Sequence, residues 1–343
     1  MTLPRISLCH APTPLERRPS LDAWIGCQIW FKRDDMTGGA EAGNKVRKLE
    51  FLLADALEKR ATTVLTCGGL QSNHARATAL SCAALGLECI LFLRVPKEVA
   101  TGSEVAAPRE QLPLTGNVLL DRMAGAEIRW ISPTDYAART EVMGAAALAL
   151  RRRGREPYVV PEGGSNGLGS LGYVEAMREL RLQMDLGLAE APRVFDVLVH
   201  ACGSGGTTAG TALGAAHFGV ADTVRAFAVC EDRAYFEGVV ESVSAECRAL
   251  DPRLSTPVRL TIDDSAKGPA YAVMSSEQKR FLVSAVRKTG IVFDPVYTGK
   301  ALFGLARAVE KGDIPRGAKV AFLHTGGLPG LLAQGDDLAE ELA

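Results

Sequence analysis

Lys45 is the residue of this 343-residue chain whose position suggests covalent chemistry. It follows Ala42-Gly43-Asn44, and Leu49, Leu52, Leu53, Ala56 and Leu57 recur behind it at helical spacing. Asn44 therefore reads as the N-cap of a helix running to about Lys59, with Lys45 in its first turn. The macrodipole is positive there and unpaired N–H groups point outward, so an ammonium is disfavoured where Asp or Glu would be ordinary. A neutral amine is a nucleophile, and with a carbonyl it forms a Schiff base. Position alone fits a solvated surface lysine as well, so the rest of the chain has to decide.

Three more stretches carry chemistry. Gly203-Ser204-Gly205-Gly206-Thr207-Thr208 follows a strand-like run and opens a helix, which presents backbone N–H groups to an anion such as phosphate. It is not a Walker loop, because no Gly-Lys-Ser/Thr follows. It also misses the dinucleotide fingerprint, since Thr208 stands where the third glycine belongs; Glu231, at the end of the next strand, keeps a nicotinamide reading open. Gly69-Leu70-Gln71-Ser72-Asn73-His74 has the same strand–loop–helix form. Asn73 there is either a simple N-cap or an amide for a cofactor phenolate, and Ser72 a hydroxyl for the substrate; His74 alone reads as structural. Asp294-Pro295-Val296-Tyr297-Thr298-Gly299-Lys300 is a turn into a helix, with Tyr297 able to pack or to act as acid, base or positioning group. Thr325 lies just past a strand end, placed like Thr298. A Schiff-base lysine, a phosphate cradle, an amide for a phenolate and a hydroxyl near a ring nitrogen together suit one cofactor, pyridoxal 5'-phosphate.

The elements that must position these groups alternate. Strands are expected at 28–32, 63–67, 89–93, 127–131, 158–161, 195–201, 224–230, 258–262 and 319–323. Helices are expected at 45–59, 75–85, 116–125, 135–153, 168–186, 208–218, 235–250 and 275–289, with another after Lys300. Residues 1–25 read as irregular, broken by Pro4, Pro12, Pro14 and Pro19, and 95–115 as a surface loop. The alternation implies an α/β fold with open, mostly parallel twisted sheets covered by helices, and loops at strand carboxyl ends lining a shared cleft.

Composition narrows the function classes. Apolar residues make up 47% and charged residues 23%, a globular balance. Thirty-nine basic against 40 acidic side chains leave −1, without the basic excess of a nucleic-acid binder. No run reaches the roughly 20 apolar residues of a membrane span, and no secretory pattern opens the chain. The eight cysteines show no Cys-x-x-Cys, and histidine is scarce, so neither a disulfide scaffold nor a metal site is expected. A reduced, cytoplasmic setting fits.

The sequence resembles the aminocyclopropane carboxylate deaminase / D-cysteine desulfhydrase family of pyridoxal-phosphate enzymes, in the tryptophan-synthase-β-like class (fold type II). The likeness runs nearly end to end: Ala11-Pro-Thr-Pro-Leu15, Lys32-Arg-Asp-Asp35, Gly43-Asn-Lys-Val-Arg-Lys-Leu-Glu50, Gln71-Ser-Asn-His74, Gly203-Ser-Gly-Gly-Thr207, Asp294-Pro-Val-Tyr-Thr-Gly-Lys300 and His324-Thr-Gly-Gly327. It implies two domains, a larger cofactor-binding one of residues 1–47 and 161–343 and a smaller one of 48–160, and a homodimer. It implies that Lys45 carries the Schiff base, that Asn73 faces the phenolate, that Gly203, Ser204, Gly205, Gly206 and Thr207 hold the phosphate, and that Thr298 meets the pyridine nitrogen. Ser72, Tyr271 and Tyr297 would face a small amino-acid substrate, with Asn73, His74 and Thr325 in the same binding set.

Within that family, ring-opening deaminases carry a Glu after the tyrosine and a Leu after the late histidine, where this chain has Thr298 and Thr325. A carboxylate keeps the ring nitrogen protonated and the electron sink strong; a hydroxyl does not. That favours α,β-elimination from a D-cysteine-like amino acid to pyruvate, ammonia and sulfide. The alternatives are aminocyclopropane carboxylate deamination and sulfite loss from L-cysteate. Lys45 is the expected base for the α-proton and Tyr297 the expected proton donor, with Ser72 beside them. Lys48 is either solvated or a charge toward carboxylate or phosphate. Two departures stand out: Ala42 replaces a usual glycine, and Arg94–Leu114 lacks the usual substrate-loop pattern.

Overall fold

The computed structural model describes residues 3–39, 42–97, 100–101, 104–105, 112 and 114–343. Most of the loop expected at 95–115 lies outside the described residues; within it Ala100–Thr101 pairs antiparallel with Glu104–Val105. Two larger sheets organise the rest. The first has six strands in the spatial order Leu15–Arg17, Gln28–Arg33, Lys319–His324, Phe195–Cys202, Ala221–Ala228 and Leu260–Asp263. Every pair is parallel except the first. The second has four parallel strands, Glu127–Ile131, Glu88–Arg94, Thr63–Gly69 and Pro157–Val159.

Period-two alternation inside near-continuous apolar strands explains the layering. Ile29, Phe31, Val199, Phe227, Val320 and Phe322 face a core closed by the helices Pro19–Ile25, Ser276–Thr289 and Thr298–Lys311. Trp30, Leu198, Ala321 and Leu323 point the other way, against Tyr173, Met177 and Leu180 of the helix Gly167–Asp185. The smaller sheet does the same: Val64, Leu91 and Leu93 meet Leu49, Leu52 and Leu53 of the helix Lys45–Glu58, while Leu65, Ile90 and Phe92 meet Tyr136, Met143 and Ala147. Burial on both faces is what parallel sheets require.

Three expectations need correction. Residues 1–25 are not wholly irregular, because Leu15–Arg17 adds an edge strand and Pro19 starts a helix at its first turn, where a missing N–H costs nothing. The helix expected at 135–153 is two, Pro133–Ala137 and Arg139–Arg151, broken at Ala138; Ser132 caps the first by accepting from Asp135 N–H at 3.0 Å. Asn44 precedes the helix Lys45–Glu58 without capping it by its side chain. Among the described residues no helix is long and apolar enough to cross a membrane.

Candidate active site

The strands Gln28–Arg33, Phe195–Cys202 and Lys319–His324 run parallel, so their carboxyl ends open on one side, where ligands of open α/β sheets bind. The loops that leave those ends, together with the loops after Thr63–Gly69 and Pro157–Val159, surround one cavity of about 60 Å³. Lys45, Ser72, Asn73, His74, Gly203, Ser204, Gly205, Thr207, Tyr271, Tyr297 and Thr325 line it, brought together from across the sequence. Thr298 and Gly206 stand behind the wall and are not part of the lining.

Lys45 Nζ donates to Asn44 Oδ1 at 2.9 Å and lies 5.9 Å from the centre of the Tyr297 ring. Burial, and next the Arg76 guanidinium, lower its pKa to about 8, against a partial opposing pull from Asp294. The nucleophilic amine inferred from the helix start is therefore produced mainly by desolvation. The chain reaches Lys45 through Ala42 at φ +67° and Gly43 at φ +109°. A left-handed alanine costs about 1–2 kcal/mol that glycine would not, which is the physical content of the Ala42 departure.

Asn44 was read from sequence only as a cap. Its amide instead bridges the two halves of the site, with Oδ1 on the Lys45 amine and Nδ2 donating to Thr207 Oγ1 at 3.2 Å. The only available signal was its adjacency to Lys45, and a cap is the commoner use of such a residue. The cap of the next helix, Asn73–Ala84, is Ser72: its Oγ accepts from Ala75 N–H at 3.2 Å. That frees the Asn73 side chain. Asn117 Nδ2 donates to Asn73 Oδ1 at 3.0 Å, which leaves the Asn73 NH₂ as the end available to an acceptor such as a phenolate.

The glycine loop fits a phosphate. Gly205 has φ +78°, and a Cβ on Gly206 would lie 2.7 Å from Ser165 Oγ and 2.9 Å from Lys48 Nζ. The helix Gly206–Phe218 starts there, so first-turn N–H groups lack intrahelical partners. Thr208 Oγ1 is buried without a partner. Lys48, far from being solvated, is fully buried; its Nζ donates to Gly163 O at 3.0 Å and Ser165 Oγ at 3.2 Å. Burial, then the charge of Lys45, push its pKa well down. Ser165 Oγ in turn lies 2.9 Å from Ser204 Oγ. An amine, an amide donor and a phosphate-sized cradle thus face one cavity, and the residues present suit pyridoxal phosphate.

On the remaining wall the Tyr271 and Tyr297 hydroxyls share a hydrogen bond of 2.7 Å. Burial raises both pKa values, that of Tyr271 to about 12, so both are neutral phenols at ordinary pH. Thr298 Oγ1 donates to Asp294 Oδ1 at 2.6 Å and accepts from Asp294 N–H at 2.8 Å. Its proton is thereby directed to Asp294 in this arrangement. Asp294 also accepts from the N–H groups of Val296 and Tyr297, which sets the turn. His74 donates through Nε2 to Thr66 Oγ1 at 2.9 Å, since that hydroxyl gives its own proton to Val160 O. Burial, then Lys45 and Lys48, hold His74 neutral. Glu162, missed from sequence because nothing marked it, also lines the cavity and pairs with Arg139 at 2.9 Å.

The family model described as "Pyridoxal-phosphate dependent enzyme" matches residues 6–326. A mitochondrial bifunctional D-cysteine desulfhydrase/1-aminocyclopropane-1-carboxylate deaminase of Arabidopsis thaliana is 40% identical over 344 residues, covering 97% of this chain and 80% of its own. A putative 1-aminocyclopropane-1-carboxylate deaminase of Thermotoga maritima is 40% identical over 331 residues, covering 96% and 98%. Among solved structures, one described as an ACC deaminase homologue superposes with a TM-score of 0.86 at 35% identity, covering 99% of this chain and 97% of that one.

Proposed function

This chain belongs to the pyridoxal-phosphate-dependent enzyme family, and from that premise we propose that it catalyses α,β-elimination from a D-cysteine-like amino acid, releasing pyruvate, ammonia and sulfide. The chain is a pyridoxal-phosphate-dependent lyase of the aminocyclopropane carboxylate deaminase / D-cysteine desulfhydrase group, with a fold of type II. The cofactor supplies the electron sink that makes a substrate's α-proton removable. Lys45 would hold it through its aldehyde carbon, Asn73 through its phenolate, and Gly203 to Thr207 with Lys48 through its phosphate.

The chain's own residues supply the rest. The Lys45 amine, neutral in part at neutral pH and tethered by Asn44 Oδ1, takes the α-proton. Tyr297, a neutral phenol braced by Tyr271, gives a proton to the departing sulfur. Ser72, whose hydroxyl proton is not used in capping the helix, and the Asn73 NH₂ bind and orient the substrate carboxylate or the cofactor, and Thr325 closes the opposite wall.

The observation that carries elimination over ring opening is the chemistry of the inner wall. Its single carboxylate among the described lining residues is Glu162, already held by Arg139 and by the Tyr136 hydroxyl; Thr325 offers a hydroxyl on the wall, and Thr298 stands behind it. Among the described residues no carboxylate lines the wall at these positions to hold a proton on the ring nitrogen by direct charge, which favours loss of a good leaving group over opening of a carbon ring. Deamination of 1-aminocyclopropane-1-carboxylate is the second reading, favoured by the relatives' names.

The deciding experiment offers the holoenzyme D-cysteine, β-chloro-D-alanine, L-cysteate and the cyclopropane amino acid separately, scoring pyruvate against 2-oxobutyrate. Pyruvate with sulfide from D-cysteine is expected; 2-oxobutyrate alone would overturn the reading. Two further parts belong to the same proposal. A cytoplasmic setting is supported by eight free cysteines, which suit a reducing compartment. A homodimer is supported by Leu114, Leu119, Met123, Leu328 and Leu332, exposed on and beside two helices that pack together. Light scattering should give twice the 36.4 kDa chain mass; the single-chain mass would count against it.

A further inference from the structure

A second cavity, of about 560 Å³, adjoins the first, and the two share Gly69, Glu162, Gly203, Ser204 and Tyr271. It is far larger than a departing sulfide needs; cavities of this size hold molecules of many heavy atoms. Arg94, the last residue of the strand Glu88–Arg94, stands on its wall, half-buried. The guanidinium carbon lies 4.9 Å from the centre of the Tyr136 ring and 5.9 Å from that of Tyr271. Among the described residues the Arg94 guanidinium makes these ring contacts and no hydrogen bond or ion pair. Aromatic faces fix the plane of a guanidinium while leaving its N–H edge free, so the ordering cost of that fork is already met before any ligand arrives.

The other charges on this wall are accounted for. Arg139 and Glu162 bind each other, Glu162 also takes the Tyr136 hydroxyl, and Glu231 is exposed at the rim. Among the described residues Arg94 is thus the guanidinium on this wall without a carboxylate partner. One tyrosine separates it from the reactive groups: Tyr271 meets the Tyr297 hydroxyl at 2.7 Å, and the Tyr297 ring lies 5.9 Å from Lys45 Nζ.

We infer that the second cavity receives the leaving group of the substrate and that Arg94 fixes a carboxylate on it. The substrate class is then β-thioether amino acids whose sulfur substituent ends in a carboxylate. The inference rests on the elimination reading and deepens it. For S-carboxymethyl-D-cysteine the α C–H bond gives its proton to the base, and the Cβ–S bond breaks with its electron pair going to sulfur. Sulfur is protonated and leaves as mercaptoacetate; the remaining enamine tautomerises and takes up one water to give pyruvate and ammonia. No oxidant or reductant is needed.

The test compares S-carboxymethyl-D-cysteine with S-carbamoylmethyl-D-cysteine, which has nearly the same shape and no charge. Titrating the visible band of the holoenzyme gives Kd for each, whether or not turnover follows, and pyruvate release gives kcat/KM. A charged hydrogen-bonded contact should favour the acid by on the order of ten-fold or more in both quantities. Arg94→Gln should bring the ratio to about one, and Arg94→Lys, which keeps the charge without the fork, should leave it in between. A ratio near one in the unmodified protein, or one that survives Arg94→Gln, overturns the inference. Selective binding of the acid that Arg94→Gln abolishes, with no pyruvate from either compound or from D-cysteine, would overturn elimination while leaving the anion site standing.

Discussion

Lys45 with a pKa of about 8 in place of 10.5 offers roughly three-hundred-fold more free amine at pH 7 than an ordinary lysine. Its folded-state pKa is lowered, so the ammonium dominates below about 8 and the amine above it. Cofactor attachment to the apoprotein, followed by growth of the visible band, should therefore accelerate about ten-fold per pH unit up to about 8 and then level. A rate still climbing at pH 10 would show an unperturbed lysine. Borohydride reduction followed by digestion should leave the adduct on the peptide holding Lys45. For Tyr297, the neutral phenol beside that amine, Tyr297→Phe should lower kcat for D-cysteine by on the order of 10²–10⁴. The loss should be smaller with β-chloro-D-alanine, because chloride leaves without a proton; an equal loss would make the tyrosine a positioning group. At this scale the place of Lys45 in the first helical turn was legible, because the apolar spacing behind it marks the helix start. The use of Asn44 as a bridge was not, because an asparagine before a helix has the same sequence appearance whether it caps or reaches across a cleft.

The helix Lys45–Glu58 is held where it is by a close approach of backbones. Gly172, in the helix Gly167–Asp185, faces it so tightly that a Cβ there would fall 2.1 Å from Arg47 O and 3.0 Å from Lys48 N. Gly172→Ala should cost about 1–3 kcal/mol, the range for overpacking. It should also weaken cofactor affinity, since the displaced turn carries Lys45 and Lys48. Thermal unfolding of the apoprotein and cofactor titration would read the two effects; an unchanged transition would mean that the helices can part without penalty. Element boundaries were legible where local chemistry closes on itself. Ser275 and Gln278 form a reciprocal capping box at the start of the helix Ser276–Thr289, as the sequence spacing predicts. The edge strand Leu15–Arg17 was not legible, because three residues gain strand character only by pairing with Gln28–Arg33.

Across the molecule, a buried charge cluster ties the start of the chain to the site. Asp34, fully buried, accepts from Arg47 Nε and Nη2 at 2.8 Å, from Thr13 Oγ1 at 2.8 Å and from the Tyr173 hydroxyl at 2.7 Å. Arg47 reaches on to Glu179, which also meets Lys32. Arg47 and Lys32 hold both carboxyls ionised against their burial. Asp34→Ala leaves Arg47 with one partner fewer in a dry setting and should cost about 3–5 kcal/mol. We propose that the chain divides into 1–47 with 161–343 and 48–160, a reading supported by the separate hydrophobic clusters on the two sheets. In that case hydrogen exchange in Asp34→Ala should rise in Gln28–Arg33 and Phe195–Cys202 while Thr63–Gly69 and Glu88–Arg94 stay protected; equal loss in both sheets would mean one cooperative unit.

The sequence alone determined the α/β alternation, the helix start at Lys45 and the glycine turn at 203–206, because strand period, helix starts and tight turns are local and leave local signatures. Only the tertiary structure decided what those groups meet. Nothing in the sequence pairs Lys32, Asp34 and Arg47 with Glu179 until the fold buries the first three against it, and Arg94 reads as the start of a surface loop until the Tyr136 and Tyr271 rings come within 4.9 and 5.9 Å of its guanidinium. Partners from distant parts of the chain obey no spacing rule, and the low dielectric that gives their charges consequence exists only once the chain has closed around them.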